Sequence, residues 1–185
     1  MTADTLRAAV EALHNGGVIA YPTESCFGLG CDPECETAVA QIVRLKQRAL
    51  EQGVLLVASS ESQIAAWIST EAWQYIEQPR ATWPGPFTWI FPAAPDTPDW
   101  ITGSRDTIAI RISAHPLVQQ LCHAYGGAIV STSANPHGQP AAISFEQTRH
   151  YFPKGIDVLL PGNIGTDARP SQIQDARTGT ILRHR

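Results

Sequence analysis

An α/β fold in a single domain is what this sequence predicts, and two patterns in it predict that class. Short apolar runs bounded by turn residues, such as Val18-Ile19-Ala20, Val54-Leu55-Leu56-Val57-Ala58 and Ile129-Val130, have the length and composition of buried strands. Between them lie segments whose apolar residues recur at helical spacing. Alternation of the two is the order of a sheet layered with helices, not of a bundle or a sandwich.

Element by element, Leu6, Val10 and Leu13 fall on one helical face, and Asn15-Gly16-Gly17 stops that helix before a strand over residues 18–21. Asp32-Pro33 resembles a helix start. The set Val39, Ile42, Val43 and Leu45 carries a helix over 36–46, which places Lys46 in its last turn and Arg48 just beyond. A strand over 54–58 leads through Ser59-Ser60 into a helix bearing Ile64, Trp67 and Ile68. Trp83-Pro84-Gly85-Pro86 is a rigid turn, followed by a strand over 87–91 with its aromatics on one face. Pro92, Pro95 and Pro98 mark a loop. In the strand 107–112 the three isoleucines share one face and Thr107, Ala109 and Arg111 the other. A helix over 116–125 ends at Gly126-Gly127, and the last third holds strands over 157–160, 171–175 and 180–183, the final two joined at Thr178-Gly179.

The 185 residues fit one domain with a substantial core, and no repeat or low-complexity linker divides them, so the chain is read as a single unit, 1–185. No window approaches the ~18 uninterrupted apolar residues of a membrane span. The N-terminus lacks the cationic start and apolar core of a signal peptide, so a cytoplasmic protein without membrane attachment is expected. Cys26, Cys31, Cys35 and Cys122 contain no Cys-x-x-Cys pair, and the histidines form no ligand motif with them; free thiols are expected, and no protein-held metal. A formal net charge of −4 disfavours a surface that grips nucleic acid throughout. Of the 13 basic residues only Lys46 and Lys154 are lysines, and arginine's fork matches carboxylate and phosphate geometry, so local anion sites are favoured.

Two polar clusters stand where strands end. Tyr21-Pro22-Thr23-Glu24-Ser25-Cys26-Phe27-Gly28-Leu29-Gly30 follows the first apolar run, and Ser131-Thr132-Ser133-Ala134-Asn135-Pro136 follows Ile129-Val130. Each alone is also ordinary turn chemistry. Ligands of open α/β sheets sit beyond strand ends, however, and glycine lets a backbone approach them. Arg111, on a strand, must be solvated, paired or turned to a ligand. Thr23, Thr107, Arg111, Ser131, Ser133, Asn135, Ser171 and Arg183, with Lys46 and Arg48 at a helix end, form an inventory rich in cations and hydroxyls and poor in bases. The Gly-x-Ser-x-Gly elbow, the His-Glu-x-x-His pair and the phosphate-binding Gly-x-x-x-x-Gly-Lys-Ser/Thr loop are absent from the sequence. Such residues suit holding phosphates and a carboxylate while these react with each other.

In that order, Pro22-Thr23-Glu24 with Gly28-Leu29-Gly30, Lys46-Gln47-Arg48, Trp83-Pro84-Gly85-Pro86, Ala109-Ile110-Arg111 and Ser131-Thr132-Ser133-Ala134-Asn135 resemble the YrdC family from about Gly17 to Arg183. The resemblance is to its short members, with no additional C-terminal domain. It implies a twisted open α/β sheet with a concave active site, and formation of threonylcarbamoyl-adenylate and pyrophosphate from L-threonine, bicarbonate or CO2, and ATP with Mg2+. A separate threonylcarbamoyl-transferase complex then modifies the adenosine beside the anticodon of certain tRNAs. The resemblance further implies that Thr23, Arg111, Ser131 and Ser171 surround the threonine, Arg111 meeting its carboxylate. Lys46, Arg48, Thr107, Ser133, Asn135 and Arg183 contact the nucleotide, and Lys46 and Arg48 offset charge that develops in the reaction. The chain departs from its relatives at Ser25-Cys26-Phe27, where many have Thr-Val-Tyr, and at Gln52-Gly53-Val54, where many have Lys-Pro-Leu, which weakens nucleotide contacts assigned there. Cys26 is read as a small packing residue. Two other readings remain: an RNA-binding factor of ribosome or tRNA maturation, with tRNA or double-stranded RNA on a concave cationic surface, and carbamoyl transfer from another donor.

Overall fold

The computed structural model describes residues 2–47, 53–167 and 169–185. Helix α1 (Ala3–His14) opens the chain, its first turn capped where the Thr2 hydroxyl accepts from the Thr5 amide. Strands β1 (Ile19–Pro22) and β2 (Phe27–Gly30) form a hairpin with Tyr21 opposite Gly28. There follow α2 (Glu36–Lys46), β3 (Leu55–Ala58), α3 (Glu77–Arg80), β4 (Phe87–Pro92), α4 (Asp99–Thr102), β5 (Thr107–Ile112), α5 (Pro116–Tyr125), β6 (Ile129–Ser133), α6 (Phe145–Tyr151), β7 (Val158–Leu159), β8 (Gln172–Asp175) and β9 (Ile181–Arg183).

The strands join in one mixed sheet of order β7-β1-β2-β6-β3-β5-β4-β8-β9. It does not close: β7 and β9 are its edges. The expected strands and the helices over 36–46 and 116–125 are present. Two local expectations change. The segment after Ser60 forms 3₁₀ turns over Glu61–Ile64 and Thr70–Tyr75 in place of a helix, although Ile64 and Ile68 still bury. Phe27–Gly30, read as the exit from a strand, returns as β2. A strand containing two glycines carries too little side-chain signal to be seen by its alternation.

The sheet's two faces explain where a ligand can go. Val18, Ala20, Leu29, Leu56, Ile108, Ile110 and Val130 face the larger core, packed with α2 residues Val39 and Ile42 and with Trp89 and Phe91 of β4. Full burial of each such large apolar side chain is worth about 1.5–3 kcal/mol. On the opposite face Ile19, Tyr21, Val57 and Ile129 meet α1 and α5 through Leu13, Val118 and Leu121. Those two helices cover only part of that face. Further along the same strands the alternating residues Leu55, Thr107, Ala109, Arg111, Ser131 and Ser133 line an open cavity. Arg111, paired in register with Val57, stands at the border between the covered and the open parts.

Candidate active site

The cavity has a volume of about 800 Å³ and is walled by β2, β3, β4, β5, β6, β8 and β9. Of the residues singled out from sequence, Thr23, Thr107, Arg111, Ser131, Ser133, Ser171 and Arg183 all line it. Residues up to 160 positions apart in the chain therefore converge, 23 to 183. Gly28 lies between them. A Cβ added there would stand 3.4 Å from Thr23 Cγ2 and 3.5 Å from Ser131 Oγ, filling space between two lining residues. At Gly30 a Cβ would lie 2.7 Å from the Val130 carbonyl oxygen and 2.8 Å from Tyr21, so no side chain fits.

Arg111 is 5% exposed. Its nearest counter-charge is Glu24, with Nη2 and Oε2 separated by 3.9 Å, a loose pair. Arg111 Nε and Glu24 Oε2 are both buried without a hydrogen-bond partner, so the guanidinium keeps donor capacity. The other Glu24 oxygen, Oε1, accepts from the Ser113 hydroxyl at 2.7 Å and the Ala114 amide at 2.9 Å. Burial acts to raise the Glu24 carboxyl, but the Arg111 charge and these hydrogen bonds outweigh it and hold the group below the usual carboxylate range. Because the folded-state value is depressed, Glu24 contributes stability that is present above its unfolded pKa, about 4.3, and is lost as pH falls through the folded value. Glu24→Gln is therefore expected to flatten part of the acid limb of stability. The check is the urea midpoint of both proteins from pH 7 down to pH 3; parallel curves would show that the carboxylate makes no such contribution.

Arg183 approaches from β9. Its Nε and Nη2 donate to the Ser171 carbonyl at 3.0 and 2.7 Å, and Nη2 also donates to the Ser171 hydroxyl at 3.0 Å. Desolvation, then the neighbouring Arg111 charge, lowers its pKa from the ordinary guanidinium value. Arg111 and Arg183, with Arg105, thus line one cavity whose lining, among the described residues, contains no carboxylate. That surplus of positive charge is matched to an anionic ligand.

Lys46 and Asn135 stand behind the lining. Lys46, at the C-terminal end of α2, is 6% exposed. Its ammonium donates to the Ser133 carbonyl, to the Asn135 carbonyl at 3.2 Å and to Asn135 Oδ1 at 3.1 Å. The Ser133 hydroxyl donates to the same Asn135 Oδ1 at 2.7 Å. The three residues form one unit that fixes the end of β6, with Ser133 as the member reaching the cavity. Arg48 lies outside the described residues, as does Gln52.

Cys26 lines the cavity too, and burial raises its thiol, with the Ser25 hydrogen bond and the Arg111 charge acting in the opposite sense. It is poorly suited to be a nucleophile. Lining residues that the sequence reading passed over include Ser25, Thr88, Thr102, Thr132 and Arg105. Thr88 had a signal: it alternates with the aromatics of β4 and so faces away from the core they fill.

The Sua5/YciO/YrdC family model, whose description is telomere recombination, matches residues 11–185. The chain belongs to that family. It is 48% identical over 181 residues to a threonylcarbamoyl-AMP synthase of Stenotrophomonas maltophilia, covering 97% of each chain. It is 46% identical over 178 residues to a threonylcarbamoyl-AMP synthase of Halorhodospira halophila, covering 96% of this chain and 93% of that one. Among solved structures, Sua5 of P. abyssi in complex with L-threonine superposes with a TM-score of 0.89 at 27% identity, covering 96% of this chain and 53% of that one. The chain thus spans about half the length of that Sua5 and nearly the whole of the two bacterial synthases. The open mixed sheet is that of the family.

Proposed function

We propose that this member of the family is a threonylcarbamoyl-AMP synthase, a nucleotidyltransferase that joins L-threonine, bicarbonate or CO2, and ATP into threonylcarbamoyl-adenylate with release of pyrophosphate. One observation carries the reading: Arg111 and Arg183 converge on a hydroxyl-lined cavity with no carboxylate among its described lining residues. Such a site binds anions. The near-full-length similarity to two threonylcarbamoyl-AMP synthases supports threonine and ATP as those anions, and the L-threonine bound to P. abyssi Sua5 supports an amino acid as one of them.

Arg111 takes the threonine carboxylate with its guanidinium, beside Thr23, Ser131 and Ser171. The neutral amine attacks the carbon of CO2, one C=O π bond opens onto oxygen, and loss of an N–H proton to solvent leaves the carbamate. A carbamate oxygen then attacks the α-phosphorus of ATP, and the bond to the bridging oxygen of the β-phosphate breaks to give pyrophosphate. Both steps gather negative charge, which the cations of the site offset. Thr107, Ser133 and Arg183 are the lining residues assigned to the nucleotide, with Lys46 and Asn135 setting Ser133. Arg48 keeps its assignment from the sequence.

Mg2+ enters with ATP as part of the substrate and screens the phosphates. Among the described residues no group of three or more His, Cys, Asp and Glu side chains comes together to hold a metal. No helix among the described residues is long and apolar enough to cross a membrane, and we place the enzyme in the cytoplasm, where a threonylcarbamoyl-transferase complex takes the product to tRNA.

The test is pyrophosphate release with ATP, Mg2+ and bicarbonate, offering threonine, serine and valine in turn. Threonine is expected to be used best. Serine, short of one methyl, loses about 1–3 kcal/mol, or 10- to 200-fold, and valine, which leaves a hydroxyl partner unpaired, loses more. Equal rates with all three, or rates indifferent to bicarbonate, would sink the proposal. Retention of tRNA or double-stranded RNA without pyrophosphate release would instead support an RNA-binding factor.

A further inference from the structure

We propose that Thr88, acting with Ser171, reads the side-chain hydroxyl of the amino-acid substrate and sets the preference for a β-hydroxy amino acid. The inference rests on the synthase reading above and extends it to a residue outside the sequence motifs. Thr88 lies on β4, 1% exposed, and Ser171 immediately precedes β8, 7% exposed; both line the cavity. Their hydroxyl oxygens are 3.2 Å apart.

Counting protons fixes what the pair can offer. A hydroxyl has one proton to donate and two lone pairs to accept with. Arg183 Nη2 donates to Ser171 Oγ at 3.0 Å, and a guanidinium cannot accept in return. The Thr88–Ser171 bond uses one of the two hydroxyl protons, whichever residue gives it. The other proton has no acceptor among the described residues. It is a nearly buried donor on the cavity wall, and such a donor favours a ligand oxygen and penalises a ligand that puts carbon there.

Two other lining hydroxyls, Thr23 and Ser133, offer the reverse. Thr23 Oγ1 donates to the Cys26 carbonyl at 2.8 Å and Ser133 Oγ to Asn135 Oδ1, so each spends its proton inside the protein and presents lone pairs. The position of the donor also fits an amino acid. Trp89 faces Ile110 and Ile90 faces Ala109 across the β4–β5 pair, and the next step of that register sets Thr88 beside Arg111. Cross-strand neighbours stand about 5 Å apart at Cβ. An amino acid whose carboxylate is held by Arg111 therefore brings its β-substituent within reach of Thr88, and threonine carries an oxygen at that carbon.

The experiment measures kcat/KM from pyrophosphate release at saturating ATP and bicarbonate for L-threonine, L-serine and L-2-aminobutyrate, which is threonine without its hydroxyl. Thr88→Val keeps the shape and removes the hydroxyl. It is expected to lower kcat/KM for threonine and serine by about tenfold or more, leave 2-aminobutyrate within about twofold, and leave the KM for ATP unchanged. Thr88→Ser is expected to restore the preference. Should Thr88→Val not fold, Thr88→Ala, which also removes the hydroxyl, carries the same comparison. An equal loss on all three amino acids, no loss on any, or failure of Thr88→Ser to restore would overturn the inference while leaving the synthase reading intact. A wild-type chain that releases no pyrophosphate with threonine would overturn both.

Discussion

Arg111→Lys is expected to raise the threonine requirement by one to two decades while the protein stays folded. The substitution keeps the charge and loses the fork. Arg111 is almost wholly buried on β5, its Nη2 rests 3.9 Å from Glu24 Oε2, and its Nε has no partner. Arg111 lines the cavity with a planar fork of donors that matches a carboxylate, and a lysine ammonium supplies one compact group without that geometry. Loss of a charge-assisted hydrogen bond costs about 1.5–3 kcal/mol, which is the predicted range in kcat/KM. The defect should appear in the KM for threonine and spare that for ATP, with the melting temperature close to wild type. An unfolded variant whose surviving fraction binds threonine normally would make Arg111 the structural partner of Glu24 and nothing more.

Much of this arrangement was legible in the sequence because strand alternation is a strict code. Placing Thr107, Ala109 and Arg111 on one face of β5 needs only the period of two, and all three line the cavity. The helix ending at Lys46 was fixed by apolar spacing, and the convergence of Thr23, Ser131 and Ser171 came from the resemblance to a known family. Other features depend on through-space pairing, which no local pattern encodes. Nothing near Lys46 in sequence says that its ammonium meets the Ser133 and Asn135 carbonyls 87 and 89 positions away. The Glu24 carboxylate is fixed by Ser113 and Ala114, 89 and 90 positions on, and reads from sequence as a turn residue. Thr88 was visible only as a gap between aromatics until β8 brought Ser171 to it. The 3₁₀ turns after Ser60 share their apolar spacing with a helix, so period alone does not separate the two.

Lys46→Met is expected to lower both ATP use and stability, and the second effect follows from where the ammonium points. A lysine whose only task is to hold a phosphate leaves the fold untouched when removed. Lys46 is nearly buried and donates to the Ser133 carbonyl and to both oxygens of Asn135, so methionine fills its stem and strips those acceptors of a charged donor. An acceptor left buried and unsatisfied costs about 1–3 kcal/mol, a shift of several degrees in melting temperature for a chain of this size. The end of β6 then loses its anchor, and Ser133, which shares Asn135 Oδ1 with Lys46, loses its orientation in the cavity. Pyrophosphate release should fall by about two decades, with the KM for ATP rising more than that for threonine. A double-mutant cycle with Asn135→Ala separates the two roles: a strut predicts strongly sub-additive losses, since either change dismantles the same unit. Additive losses with an unchanged melting temperature would assign Lys46 to the nucleotide alone, and near-normal turnover would remove it from the site.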